Sequence, residues 1–414
     1  MVNVKEIRYM HRLLKSLRLG LVLSISFFDY LAFAIIIPHT YSLILSGPDS
    51  LLSAGTSDPS RYITLGALLA TYPLMQALGN PILGAIADAI SRKRVLLISF
   101  IGNFIGYALS AYAIYSHNIF YLFLGNGLAG LTGGNISTIN AVIADLSENR
   151  QKARRFSYSI MTFGLAFIVG PFISGQLSAH MPLITIYALS ASISIFNFLL
   201  LGLLFHDLPK GLGLQRLKPH FIGKDLREVF QSAGSLKQLF LAVFSLYLGW
   251  YFFIKFFRVL LLDRLHYSLE QYCNILSYFG ICCLIAQGLY SLYCSRLREE
   301  SILKIIAPLL ALSILSLAFI SSLWTVLTAV TLFSICYAIL CPTLTYIVSE
   351  AGHALAQGRI MGLFQAVHAL AQVFGPALAG FSMAAHPMAP IFISCVLILS
   401  GSWIFSKTAA PQPT

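Results

Sequence analysis

Residues 170–175 read Gly170-Pro171-Phe172-Ile173-Ser174-Gly175, and the pattern is met again 205 positions later as Gly375-Pro376-Ala377-Leu378-Ala379-Gly380. The same offset carries Asp145 onto Glu350 and Arg154 onto Arg359. Three features in one register mark an internal duplication. Both copies of the motif lie inside long apolar runs, so the duplicated unit is built of hydrophobic segments. Of the 414 residues, 57% are hydrophobic and only 10% charged, and mean hydropathy is +0.80. A water-soluble surface of this size needs far more charge. The runs are continuous over the roughly 20 residues that a helix needs to span hydrocarbon, whereas a membrane barrel alternates polarity along short strands.

The runs predict spans at 15–38, 60–83, 94–115, 118–145, 156–178 and 182–205, then at 237–262, 270–294, 302–320, 322–349, 359–384 and 386–407. The longest polar stretch, 206–236, carries Pro209, Gly211, Gly213 and Pro219 and reads as a cytoplasmic linker between an N-terminal bundle, 1–205, and a C-terminal bundle, 237–414. The expected fold class is an all-α membrane protein of twelve transmembrane helices in two pseudo-symmetric six-helix bundles. Duplicated bundles of this kind belong to transporters whose halves move around a central site.

Positive charge sets the expected orientation, since cytoplasmic loops retain lysine and arginine. With the N-terminus inside, 23 of the 27 basic residues fall on cytoplasmic segments. Arg61 and Arg264 fall outside, and Lys255 and Arg258 fall within the seventh span. Both termini are therefore expected in the cytoplasm, and the basic N-terminus reads as the start of a retained first helix. The net charge of +12 is mostly this topology signal plus attraction to anionic headgroups of the bilayer. Its scatter over short loops argues against a nucleic-acid partner. The seven cysteines, all in the second half, show no metal-ligand spacing and read as buried small hydrophobes. No phosphate-binding glycine loop with its lysine and no nucleophile–base pair is present, so the reading includes no enzyme, no cofactor and no metal.

The loop after the second span reads Gly84-Ala85-Ile86-Ala87-Asp88-Ala89-Ile90-Ser91-Arg92-Lys93-Arg94. Glycine permits close helix approach, and aspartate suits pairing with Arg92 or a helix N-terminus. This loop closely resembles the signature loop of the major facilitator superfamily. The resemblance implies a conformational latch of Gly84, Asp88 and Arg92, with Asp145, Arg154, Glu350 and Arg359 at the related loops of the two halves. One departure is Ser91, where the family usually has glycine, and the second-half counterpart around Arg296 and Arg298 lacks the glycine and aspartate. Gly164, Gly170, Pro171 and Gly175 are similar to the glycine-proline signature of the family's antiporter branch, in which small residues bring helices close and proline bends them; Gly375 and Pro376 are the second-half equivalents. Asp29-Tyr30-Leu31-Ala32-Phe33-Ala34-Ile35-Ile36-Ile37-Pro38 resembles the first helix of the tetracycline-efflux-like branch, as does Leu124-Gly125-Asn126-Gly127-Leu128-Ala129-Gly130 leading to Asp145. Where that branch usually has an arginine tied to proton coupling, this chain has Asn126.

Ionisable residues inside a membrane are costly and are read first as functional. Asp29 is either a proton or cation acceptor, or a carboxylate that packs helices within its own half. Lys255 and Arg258 are three apart and expected on one helical face. They either snorkel to the outer headgroups or face the cavity and attract an anion, for which arginine is well suited. His368, between Gln365 and Gln372, is either a proton shuttle or a neutral partner for another helix. Gln76, Asn80, Asn135 and Gln287 are further lining candidates. The expected function is secondary active transport of a small organic solute, anionic and polycarboxylate-like, by alternating access and coupled to protons, in a protein that works as a monomer in the cytoplasmic (inner) membrane. The alternative is a proton-driven efflux pump of the tetracycline type, which the two positive charges of the seventh span oppose.

Overall fold

A computed structural model describes residues 4–45, 47–89, 91–133, 135–146, 152–205, 235–293, 299–351 and 357–407. Among these residues the regular structure is helical throughout. The first half contains α1 (Val4–Ser42), α2 (Asp58–Ala89), α3 (Arg92–Tyr115), α4 (Ile119–Thr132), α5 (Asn135–Leu146), α6 (Lys152–Ser178) and α7 (Leu183–Leu204). The second contains α8 (Ser235–Ile254), α9 (Phe257–Leu265), α10 (Leu269–Tyr293), α11 (Glu299–Ser316), α12 (Leu323–Ala351), α13 (Gln357–Ala385) and α14 (Ala389–Lys407). The twelve expected spans are all covered, two of them by broken helices: the fourth is α4 plus α5, and the seventh is α8 plus α9. Of the expected linker 206–236, residues 206–234 lie outside the described residues and 235–236 already belong to α8.

Ten of the described helical stretches are long and apolar enough to cross a membrane. The breaks have different causes. After α4 the chain reads Gly133-Gly134, a pair that helices hold poorly. Between α8 and α9 it reads Lys255-Phe256, with neither glycine nor proline nearby, so composition does not explain the interruption. Outward stripes at helical spacing are apolar, as at Ile98, Ile101 and Ile105 on α3 and Phe374, Leu378 and Phe381 on α13, all exposed. Such faces suit contact with lipid.

The packing falls into two units. One comprises residues 1–39 and 75–219, the other 40–74 and 220–414. These boundaries differ from the expected halves, because the end of α1 and the first part of α2 pack with the C-terminal helices. In the first unit α3 runs along α4 and α7, over a core that includes Val22, Ile25, Phe100, Val142, Leu201 and Phe205. In the second, α8 runs along α13 and α14, and α12 lies against α10 and α11. Its centre is aromatic: Trp250 stacks on Tyr337 with ring centroids 3.9 Å apart and 13° between planes, and Phe253, Phe279 and Phe333 close around it.

The repeated motif has the same job in each unit. A Cβ on Gly170 would lie 2.5 Å from Ala34 Cβ on α1, and one on Gly375 would lie 2.6 Å from Tyr251 Cβ on α8. Each glycine thus lets its helix sit directly against the helix that begins its half. In the second unit Gly66 of α2 also meets α13 closely, since its Cβ would come within 2.5 Å of Pro376 O and 3.1 Å of Gly380 Cα. These backbone approaches are why the start of α2 belongs with the C-terminal helices.

Candidate functional site

The site is built on the break between α8 and α9. Lys255 and Phe256 form a turn, and Phe256 N donates to Phe253 O at 3.0 Å in the tighter spacing that ends a helix. A break inside a membrane frees backbone carbonyls that need new partners. Tyr41 at the end of α1 supplies one: its hydroxyl donates to Lys255 O at 3.0 Å. Lys255 itself is half-buried. Because the turn separates them, Lys255 and Arg258 do not share the face of one regular helix, which corrects the expectation from their spacing.

Arg258 follows in the first turn of α9 and is 6% exposed. Its Nη2 donates to Ser42 Oγ at 3.2 Å. Its guanidinium carbon lies 5.7 Å from the Tyr41 ring centre and 5.3 Å from that of Tyr272, within cation–π range. Its Nε and Nη1 are buried and make no hydrogen bond among the described residues. The side chain is folded into the protein against α1 and α10, an arrangement different from snorkelling. A second buried arginine, Arg61 at 3% exposed, is treated in the opposite way. It donates to Ile44 O at 2.9 Å, Ser50 Oγ at 2.8 Å, Ser53 O at 2.7 Å and Thr56 O at 3.2 Å, and so gathers the connection between α1 and α2 around itself.

One turn before the break, Tyr251 joins a polar triangle. Its hydroxyl lies 3.0 Å from His368 Nε2 and accepts from Gln372 Nε2 at 3.0 Å. Gln372 Nε2 is 3.5 Å from His368 Nδ1, and the Tyr247 ring packs on the imidazole at 4.4 Å between centroids. His368 is thus hydrogen-bonded to another helix through Nε2, by way of Tyr251 on α8, while its Nδ1 faces Gln372 on its own helix. Gln365 is exposed and takes no part in this triangle.

In the first unit, Asn103 Nδ2 on α3 donates to Asp29 Oδ1 at 3.1 Å. Asn103 Oδ1 in turn lies 2.9 Å from Thr132 Oγ1 on α4. Asp29 therefore ties three helices of its own unit together. Asn126 is half-buried on α4, beside Gly125, whose absent side chain admits Gly106 and Ser110 of α3.

A sequence profile of the Major Facilitator Superfamily matches residues 19–376, and a second match covers 239–411. The chain belongs to the major facilitator superfamily. Its tetracycline resistance relative of class H from Pasteurella multocida is 35% identical over 166 residues, which are 39% of this chain and 40% of that protein. Major facilitator superfamily domain-containing protein 10 of Mus musculus is 27% identical over 409 residues, with 89% of this chain and 86% of that protein aligned. A crystal structure of the human organic anion transporter MFSD10 (TETRAN) superposes with a TM-score of 0.68 at 21% identity, covering 94% of this chain and 99% of that one, a likeness of fold. The chain is thus a multi-pass membrane transporter and not an enzyme.

For the superfamily loop, the structure describes part of the expected latch. The side chains of Asp88, Asp145, Arg154 and Arg359 lie outside the described residues. Arg92 is half-buried and Glu350 exposed. Gly84 and Gly164 have no described atom within 4 Å of where a Cβ would stand. The departure at Ser91 has a local reason. Ser91 has φ −178° and ψ 140°, extended backbone open to any residue, and its Oγ accepts from Arg94 N to cap α3. Lys93 Nζ donates to Gly202 O at 2.9 Å near the end of α7, where a helix carries partial negative charge.

Tyr41, Ser42, Tyr251 and Tyr272 are the residues that sequence reasoning did not single out. Nothing in a chain of 20 tyrosines marks these three, and Ser42 looks like any small residue at the end of a span. Of the cysteines, Cys273, Cys336 and Cys395 are buried and Cys282, Cys283 and Cys341 half-buried, while Cys294 lies outside the described residues.

Proposed function

We propose that the chain is a proton-coupled secondary transporter of small organic anions of the polycarboxylate class, working by alternating access as a monomer in the inner membrane with both termini in the cytoplasm. In this reading the halves 1–205 and 237–414 are the moving bundles, and the Gly84–Arg94 loop with Asp145, Arg154, Glu350 and Arg359 forms the cytoplasmic latch. The observation that carries the anion assignment is Arg258, buried with two guanidinium nitrogens unbonded and no carboxylate paired with it or with Lys255 among the described residues. A buried cation without a counter-ion is costly. Such a cost is retained where a transient ligand supplies the missing charge. The human organic anion transporter MFSD10 shares this fold, which supports the same reading.

A second reading, efflux of tetracycline-like drugs, is favoured by the 35% identity to the class H protein. Proteoliposomes carrying an imposed pH gradient separate the two. Radiolabelled succinate and citrate are expected to move, with rates that fall when the gradient is collapsed, and tetracycline is expected not to. Tetracycline flux without succinate or citrate flux reverses the assignment. Transport indifferent to the gradient removes proton coupling and with it a proton role for Asp29 and His368.

A further inference from the structure

We propose that Ser42 and Tyr41 hold the place of the transported anion at Arg258, so that anion binding and docking of the end of α1 onto the α8–α9 break exclude each other. The inference rests on the anion reading above and adds to it a direct competition at one side chain.

In the described conformation Arg258 is covered. Its Nε and Nη1 are buried, and its neighbours are a serine hydroxyl on α1 and the faces of Tyr41 on α1 and Tyr272 on α10. All three neighbours are neutral, and each is a weaker partner for a guanidinium than a carboxylate, which takes two charge-assisted hydrogen bonds at once. An anion reaches these nitrogens only after a covering group has moved. Two of the three covering groups lie on the last turn of α1.

That turn, itself part of the second unit, is held to α8 and α9 at the break. Arg258 Nη2 donates to Ser42 Oγ at 3.2 Å, and Tyr41 donates to the freed Lys255 carbonyl at 3.0 Å. The Lys255 carbonyl is free because the helix is interrupted, and the Arg258 guanidinium follows it by three residues on the same segment. When an anion takes the guanidinium, Ser42 loses its donor and the Tyr41 ring its cation. Of the two hydrogen bonds to the break, only Tyr41–Lys255 then remains, beside the edge contact of the Tyr41 ring with Tyr272. Without an anion, hydroxyl and rings shield the charge, and α1 stays docked.

Cys273 reports on this directly, since it is fully buried next to Tyr272. All other cysteines are replaced by serine, retention of transport by the wild-type background is checked, and maleimide labelling of Cys273 is timed in proteoliposomes with and without excess succinate. Succinate is expected to speed labelling about tenfold, the scale of one charge-assisted hydrogen bond. Ser42→Ala and Tyr41→Phe are each expected to speed it about fivefold without succinate, as for loss of one ordinary hydrogen bond. Arg258→Gln is expected to label quickly whether or not succinate is present. Labelling that succinate leaves unchanged or slows in the wild-type background overturns the competition. If succinate is still transported in that case, the anion reading stands alone. If succinate is neither transported nor felt by Cys273, both readings fall, and faster labelling in Ser42→Ala then records only that this hydroxyl helps hold α1.

Discussion

Arg61 and Arg258 are both buried in the second packing unit, at 3% and 6% exposure, and their surroundings differ in kind. Arg61 reaches three carbonyls and a serine hydroxyl. Its charge is spread over backbone dipoles, and the carbonyls of a connecting loop acquire donors they otherwise lack. Arg258 reaches one hydroxyl and two tyrosine rings, and two of its nitrogens have no hydrogen bond. A guanidinium whose three nitrogens are all bonded is a structural clamp, because little donor capacity is left over. An unsaturated one keeps binding capacity for something else. The difference teaches that burial of charge does not by itself indicate function in a membrane protein; unspent donors do.

Substituting methionine at both positions tests the contrast most severely. Arg61→Met orphans several carbonyls at about 1 kcal/mol or more each, so a loss of about 3 kcal/mol is expected, read as a lower melting temperature in detergent. Arg258→Met replaces a poorly satisfied charge by an apolar group of similar volume, which is often neutral or stabilising. Its melting temperature is expected to hold or rise while succinate transport falls by about 100-fold, near 2.7 kcal/mol. Equal destabilisation by the two substitutions breaks the distinction.

Smaller effects test whether the repeat is used alike in both halves. Gly170→Val and Gly375→Val each push a side chain into a contact of 2.5–2.6 Å, at a cost of about 1–3 kcal/mol for overpacking. Gly375→Val is expected to lower transport further, since the displaced Tyr251 belongs to the His368 triangle. Similar transport in the two variants at matched stability argues that the triangle is packing alone. Smallest is Ser91→Ala, which removes the cap of α3 and is expected to cost about 1 kcal/mol, with Ser91→Gly costing only a few tenths. A thermal shift assay orders the two.

Much of the architecture was legible before any coordinates. The twelve apolar runs are helical, and the Gly170 and Gly375 motifs pack alike, because small residues at fixed spacing bring helices together whatever surrounds them. Arg258 was legible as an intramembrane cation. Its setting was not: the spacing of Lys255 and Arg258 implied one helical face, and the turn between them removes it. Gly84 was read as a packing glycine, and no described atom stands within 4 Å of where its Cβ would be. Ser91 looked like a departure from a family pattern, and turned out to be a helix cap.

Composition and periodicity by themselves determined that this chain is a membrane protein of duplicated helices, since a residue's transfer between water and hydrocarbon depends on its own chemistry and little on its neighbours. Only the tertiary structure decided which buried charges were satisfied. Hydrogen-bond partners come from anywhere in the chain, and Ser42 and Arg258 are 216 residues apart. Whether a guanidinium is a clamp or an open site is settled by which carbonyls and hydroxyls the fold brings within about 3 Å of it, and no local reading of residues 255–258 contains that information.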